Sequence, residues 1–190
     1  MGEVEGQIRD EQLDGEREAL RQLALAQIRQ YPDPVLRLGA RDVVEFDDGL
    51  RALIERMGRL MDEARGVGLA APQIGISRRV LVYQPSEEAP VTALVNPRIT
   101  AHSDETDSAD EGCLSLGAAT VIVPVERPVS VTVEAQTPDG EPVTIEAEEL
   151  EARVLQHEID HLDGVLTFDR ATPEARRAAL AELRPQPVLQ

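Results

Sequence analysis

The chain has 190 residues, of which 42% are hydrophobic, and this is typical of one globular domain with its own core. Its formal net charge is −17, and all 19 basic residues are arginine, which argues against broad nucleic-acid binding and a general membrane-surface role. One cysteine cannot form an internal disulfide, no apolar run is long enough to span a membrane, and the acidic N-terminus does not resemble a secretory signal. We therefore expect a cytoplasmic protein.

In the first third of the chain, apolar residues recur twice at helical spacing. Between residues 11 and 30 they are interspersed with charged residues. We interpret residues 1–30 as a helical N-terminal extension that packs on the domain or frays from it, rather than binding a partner. From Leu50 to Ala64 the spacing predicts a second helix, with Asp47 or Asp48 as its N-cap and Gly66 as its stop.

The middle of the chain has the patterns of β-strands. Apolar runs and alternations predict strands at 80–83, 91–97, 129–135 and 143–146, and Pro138-Asp139-Gly140 predicts a hairpin turn between the last two. The polar residues 102–108 are predicted to form an acidic loop. Two helices are predicted to follow, at 148–162 and at 173–183, the second capped by Thr172 and ended by Pro185.

The most informative segment is HEIDH at residues 157–161, inside the predicted helix 148–162. His157 and His161 lie one turn apart on the same helix face, so both can bind one metal ion. Glu158 projects beside them, where it can accept a proton from a metal-bound water. The pattern is typical of metal hydrolases; the alternative is two helix histidines hydrogen-bonded to neighbouring carboxylates.

A third metal ligand has to come from outside this helix. The longer metzincin motif needs a histidine where this chain has Thr167, which is a poor ligand. Since the chain has three histidines and one cysteine, the candidates are His102 and Cys113, with carboxylates in reserve. His102 lies in the predicted acidic loop, where a solvated histidine is expected. A lone cysteine is usually a small buried hydrophobic residue, but a Cys113 thiolate with two imidazoles would leave a fourth position open for water.

These elements together predict an α+β fold. Small antiparallel or mixed β-sheets are expected to pack around a central metal-binding helix that carries the HExxH motif. A metal bound between that helix and a residue distant in sequence would also stabilise the fold. The sequence has no internal repeat and no sign of a second domain.

Three segments resemble the motifs of the peptide deformylase family. They are GVGLAAPQIG at residues 66–75, EGCLS at 111–115 and QHEIDH at 156–161, and they follow one another in the family's order. The resemblance extends from about Tyr31 to about Arg170. It therefore implies that residues 31–190 form a single catalytic domain of this family and leaves most of the extension uncovered.

The resemblance implies an activity and a metal centre. The reaction is hydrolysis of the N-formyl group from the N-terminal formyl-methionine of newly synthesised proteins, with release of formate. Cys113, His157 and His161 would hold one divalent metal ion, by resemblance Fe²⁺, with Zn²⁺, Ni²⁺ or Co²⁺ as alternatives. Glu158 would be the general base. The partners implied are formylmethionyl peptides of nascent chains, with transient proximity to the ribosome, and we expect a monomer.

The resemblance also implies roles for residues around the metal. The side chain of Gln73 and the backbone N–H of Leu114 would donate hydrogen bonds to the developing oxyanion. Gly68 would let the backbone approach the substrate closely. The pocket for the methionine side chain would be lined by Val67, Leu150 and Val154.

The chain departs from the family at two positions, and two other functions remain open. Gly117 stands where the family usually has proline, and Thr120 stands where it commonly has a peptide-binding arginine. These departures bear on peptide affinity and on selectivity beyond the first residue. The alternatives are a zinc endopeptidase of another HExxH family and a non-catalytic deformylase-like protein that binds a metal or a peptide.

Overall fold

The computed structural model describes residues 2–86 and 88–183, with side chains from residue 14 onward. Within these ranges the α-helices are α1 (Gly2–Leu25), α2 (Asp48–Glu63), α3 (Glu149–Leu162) and α4 (Pro173–Glu182). The strands are β1 (Gly68–Ala70), β2 (Val80–Tyr83), β3 (Thr92–His102), β4 (Thr106–Gly112), β5 (Ile122–Pro128), β6 (Ser130–Gln136) and β7 (Pro142–Glu148). Among the described residues, no helix combines the length and apolar character needed to cross a bilayer.

The strands form two antiparallel sheets. The larger sheet has the strand order β1-β2-β3-β6-β7, and β4 pairs with β5 in the smaller one. The pairing of β6 with β7 brings Val131 opposite Ala147 and Val133 opposite Ile145, as expected for a hairpin closed by a tight turn. Gly140, with φ +88°, supplies the left-handed residue of that turn. The fold is therefore α+β, and antiparallel pairing applies to both sheets.

The larger sheet is covered by helices on both faces, which explains why β2 is apolar throughout. Val80 and Val82 pack with α2 in one buried cluster. Leu81 and Tyr83 point the other way and pack with α3 in a second cluster. Successive residues of a strand face opposite sides, so a strand buried on both faces needs a continuous apolar run. This packing fixes α3 against the centre of the sheet.

A third buried cluster joins the smaller sheet to the C-terminal part of the chain. It contains Cys113, apolar residues of β5 such as Val123 and Val125, and Phe168. Cys113 is thus part of the packed interior at the end of β4, and its position is fixed by the residues around it.

The predicted helices are present, with differences at their ends. Asp47 caps α2 by accepting a hydrogen bond from the Leu50 N–H. The prediction that Gly66 stops α2 is wrong, because the left-handed residue at the helix end is Arg65, with φ +58°. The Gly66 N–H donates to the Met61 carbonyl, which is the pattern of a Schellman motif. Helix α1 ends at Leu25, earlier than the predicted Gln30. Thr172 caps α4, and Pro185 lies outside the described residues.

The predicted acidic loop at 102–108 is wrong. Strand β3 continues to His102 and β4 begins at Thr106, so only residues 103–105 connect them. Both strands are largely exposed here, and their stability comes from backbone pairing with β6 and β5. Polar residues on exposed strands lack the alternation that predicts a strand. Strand β4 was not predicted because its residues are polar and exposed. Strands β1 and β5 were not predicted either.

Candidate active site

Helix α3 brings the HEIDH residues to the floor of a cleft. Its apolar residues Leu155, Ile159 and Leu162 are buried against the larger sheet. His157 and Glu158 line the cleft, and His161, 1% exposed, lies one turn further along. The two imidazole rings are edge to face, with centroids 5.0 Å apart.

Cys113 meets both histidines at this point. Its Sγ lies 3.2 Å from His161 Nε2, and one potential ligand atom from each of Cys113, His157 and His161 lies within 4.8 Å of the other two. Two imidazole nitrogens and a sulfur at this separation can bind one ion and leave a position free for another ligand. The structure thus brings together the three residues predicted as ligands.

Glu111 holds the ring of His157 in a defined orientation. The His157 Nδ1 lies 2.9 Å from Glu111 Oε2, which leaves Nε2 for a metal. Ligating histidines usually donate their second ring nitrogen to such a partner, which fixes the tautomer and the ring plane. The carboxyl of Glu111 is raised in pKa by burial, but hydrogen bonds from His157 and Arg127 outweigh this and lower its pKa to about 2.

Under α3 lies a buried ion-pair network that the sequence analysis did not identify. Arg127 donates to Glu111 at 2.7 Å through Nε and to Asp160 at 2.8 Å through Nη1. Arg153 also donates to Glu111, at 2.9 Å. Glu111 and Asp160 lie inside the EGCLS and QHEIDH segments, so their sequence positions were a usable signal. Arg127, on β5, lies in no such segment.

The pKa values of the Cys113 thiol and the Glu158 carboxyl are shifted by burial and by nearby charges. Burial alone would raise the pKa of the Cys113 thiol, but His161 and His157 hold that pKa well below its ordinary range. Burial raises the pKa of Glu158, whose Oε2 is buried and has no hydrogen-bond partner among the described residues. A thiolate ligand and a carboxylate ready to take up a proton are what a hydrolytic metal site requires.

Gln73 is oriented by the backbone of its own loop. Its Oε1 accepts a hydrogen bond from the Ala70 N–H at 2.8 Å. Its Nε2 therefore faces the EGCLS loop, 3.3 Å from Ser115 Oγ and 4.0 Å from Cys113 Sγ. The side-chain amide of Gln73 is thus a donor directed towards the three predicted ligands, and Leu114 follows Cys113 in the same loop.

Gly68 is in direct contact with Glu158. A Cβ at this position would lie 2.4 Å from Glu158 Oε1 and 2.7 Å from its carboxyl carbon. Any larger residue would therefore displace the Glu158 carboxylate or the backbone. This gives a reason for glycine at residue 68 that the sequence analysis did not foresee, in addition to the predicted approach to a substrate.

The cleft has a volume of about 290 Å³, and the four predicted substrate-binding residues line it. Gly68 and Val154 are buried, whereas Val67 and Leu150 are 51% and 53% exposed. Two large apolar side chains left half exposed beside a cleft are typical of a ligand-binding surface.

His102 is not part of the cluster formed by the three predicted ligands. His102 is exposed at the end of β3, where its Nδ1 lies 2.9 Å from the Ser103 carbonyl. Thr167 is 3% exposed, and its hydroxyl has no partner among the described residues.

The chain is similar to known proteins of one family. The family model described as polypeptide deformylase matches residues 25–177. A peptide deformylase of Natranaerobius thermophilus is 50% identical over 149 residues, which cover 78% of this chain and 94% of that protein. A peptide deformylase of Acidothermus cellulolyticus is 46% identical over 162 residues, covering 85% of this chain and 87% of that protein.

Solved structures agree in fold. Peptide deformylase 1B of Arabidopsis thaliana, in complex with an inhibitor, superimposes with a TM-score of 0.79 at 39% identity, covering 83% of this chain and 87% of that one. The Thermotoga maritima peptide deformylase gives a TM-score of 0.73 at 46% identity, covering 77% and 97%. The chain therefore belongs to the peptide deformylase family of hydrolases.

Proposed function

We propose that this chain hydrolyses the N-formyl group of N-terminal formyl-methionine on nascent peptides at the centre formed by Cys113, His157 and His161. The observation that carries the proposal is the meeting of these three donors with the Glu158 carboxylate on one cleft. The products are formate and a peptide with a free amino terminus.

The family is metal-dependent, and the donors fit a divalent ion. Cys113 and His161 are buried side by side, and Glu111 leaves only Nε2 of His157 for binding. We propose Fe²⁺ as the native ion, with Zn²⁺, Ni²⁺ or Co²⁺ able to take the same site, because a set of one sulfur and two nitrogens suits all of them. When bound, the ion polarises the formyl carbonyl and lowers the pKa of the attacking water.

Glu158 moves the proton. Its carboxylate accepts a proton from water as the water oxygen bonds to the formyl carbon. The same group then delivers a proton to the amine nitrogen as the carbon–nitrogen bond breaks. Burial in a site that raises the pKa of Glu158 suits a group that is both base and acid in one cycle.

The developing negative charge on the formyl oxygen needs fixed donors. The Gln73 Nε2 and the Leu114 N–H are proposed for this role, because Gln73 is held by Ala70 and Ser115. Donors fixed before the reaction stabilise the transition state without reorganisation.

The methionine side chain is proposed to lie in the cleft against Val67, Leu150 and Val154. The half-exposed Val67 and Leu150 would be covered by such a substrate, which removes their apolar surface from water. The partners are then formylmethionyl peptides close to the ribosome, bound by a cytoplasmic monomer.

Formate release from a formyl-Met-Ala-Ser peptide tests the function. Protein purified anaerobically and loaded with Fe²⁺ should release one formate per peptide, and the acetyl-Met-Ala-Ser peptide is the matched control. Cleavage of internal peptide bonds with no formate released would instead identify an endopeptidase. Peptide binding without turnover by the metal-loaded protein would identify a non-catalytic relative.

A further inference from the structure

Residues Arg29, Gln30 and Tyr31, here named the strap, join the two loops of the candidate site. The Arg29 N–H donates to the Gln73 carbonyl at 2.7 Å, and the Tyr31 N–H donates to the Ser115 carbonyl at 2.9 Å. The strap thus forms backbone hydrogen bonds with the loop that carries Gln73 and with the loop that carries Leu114.

Between these two contacts, the Gln30 side chain uses both ends of its amide. Its Nε2 donates to the Leu114 carbonyl at 2.8 Å, and its Oε1 accepts from the Ala118 N–H at 3.0 Å. The two partners are four residues apart at either end of one turn. A single half-buried side chain therefore holds both ends of that turn.

The turn needs such support because of its backbone conformation. Gly117, Ala118 and Ala119 have φ values of +59°, +55° and +68°, a left-handed conformation that is unfavourable for residues with a Cβ. The Cys113 carbonyl accepts from both Leu116 and Ala119 N–H groups. Movement of the turn would therefore be passed directly to the peptide that contains the Leu114 N–H.

We propose that Gln30 is a positioning residue that clamps this turn and so aims the Leu114 N–H at the formyl oxygen. This rests on the proposed function, because it assigns the aim of an oxyanion donor. Gln30 lies inside the residues 25–177 that the family model matches, although the sequence analysis placed it at the end of an N-terminal extension.

The kinetic test compares variants of the metal-loaded full-length protein on formyl-Met-Ala-Ser. Gln30→Ala should lower kcat about tenfold, since small misplacements of aligned groups cost much of the rate, with KM within about twofold and metal content unchanged. Gln30→Glu retains the acceptor for Ala118 and the side-chain volume but loses the donor to Leu114. Its kcat should therefore lie between those of Gln30→Ala and the unsubstituted protein. Gln27→Ala is the matched control. The Gln27 side-chain amide is exposed, donates to the Leu23 carbonyl and accepts from Arg56, and neither partner belongs to the two loops, so both constants should stay unchanged.

Amide hydrogen exchange tests the clamp without reference to catalysis. In Gln30→Ala, exchange at Ala118 and its neighbours should rise at least tenfold. In Gln30→Glu, which keeps the acceptor for the Ala118 N–H, the rise should be smaller. In both variants exchange in α3 should stay as in the unsubstituted protein. The proposal would be overturned if Gln30→Ala left kcat unchanged or left exchange in the turn unchanged. It would also be overturned if kcat, metal content and melting temperature fell together in this variant. If the unsubstituted protein released no formate, the proposed function would fail, and the exchange data alone would decide whether Gln30 clamps the turn.

Discussion

The two sides of the cleft are stabilised by different kinds of interaction. On the α3 side, Glu111 and Asp160 each form an ion pair with Arg127, and all three are at most 6% exposed. Across the cleft, residues 117–120 of the turn are small and exposed or half-buried, and the turn is held by backbone hydrogen bonds and the Gln30 amide. The first side depends on charge and the second on backbone geometry. Substitutions should therefore affect the two sides differently.

The largest effect is expected on the α3 side, from Glu158→Gln. This change keeps the volume of the side chain but removes the proton acceptor, so kcat should fall by about 10²–10⁴-fold. Because Glu158 is not proposed as a ligand, elemental analysis should find the metal content of the variant unchanged. Loss of the metal together with the activity would make Glu158 a ligand instead.

Glu111→Gln should weaken the α3 side of the cleft by removing one charge from its buried ion-pair network. The change leaves Arg127 with one carboxylate partner fewer in a buried site, and breaking a buried pair costs about 3–5 kcal/mol of unfolding free energy. Metal affinity should fall by about 10–100-fold, since the partner that orients His157 is altered. Urea denaturation and competitive metal titration measure the two effects. Glu126→Gln, an exposed carboxylate on β5, is the control and should change neither.

The stability of the protein should depend on pH through Glu111. Its pKa is lowered from 4.5 to about 2 in the folded protein, so its contribution is complete above pH 4.5 and is lost as the pH falls towards 2. Unfolding free energies measured across this window should decline less steeply in Glu111→Gln than in the unsubstituted protein. Equal slopes for the two proteins would show that Glu111 is not the group responsible.

Gly68→Ala tests whether the contact between β1 and α3 matters for the chemistry. A Cβ at residue 68 would lie 2.4 Å from Glu158 Oε1, so the carboxylate must move and kcat should fall by about tenfold or more. Gly39→Ala is the control, because a Cβ there meets no atom within 4 Å. Activity of Gly68→Ala equal to that of Gly39→Ala would mean that Glu158 relocates without cost.

How much of the structure could be predicted from the sequence depends on how strongly burial imposes a pattern on each element. The helix that carries His157 and His161 and the apolar strand β2 were predicted because burial imposes strong periodicity on them. Strand β4 was missed because polar, exposed residues carry no such pattern. The three proposed ligands were expected from their motifs, whereas the contacts of Arg127 and Gln30 join residues distant in sequence. Local patterns do not record such contacts.

The ligand assignment is the central claim, and the metal content of two variants tests it most directly. The unsubstituted protein and His102→Ala should each bind about one metal ion per chain by elemental analysis. Cys113→Ala should lose tight binding, because the two histidines of α3 then lack their third donor. Metal retained in Cys113→Ala and lost in His102→Ala would contradict the account.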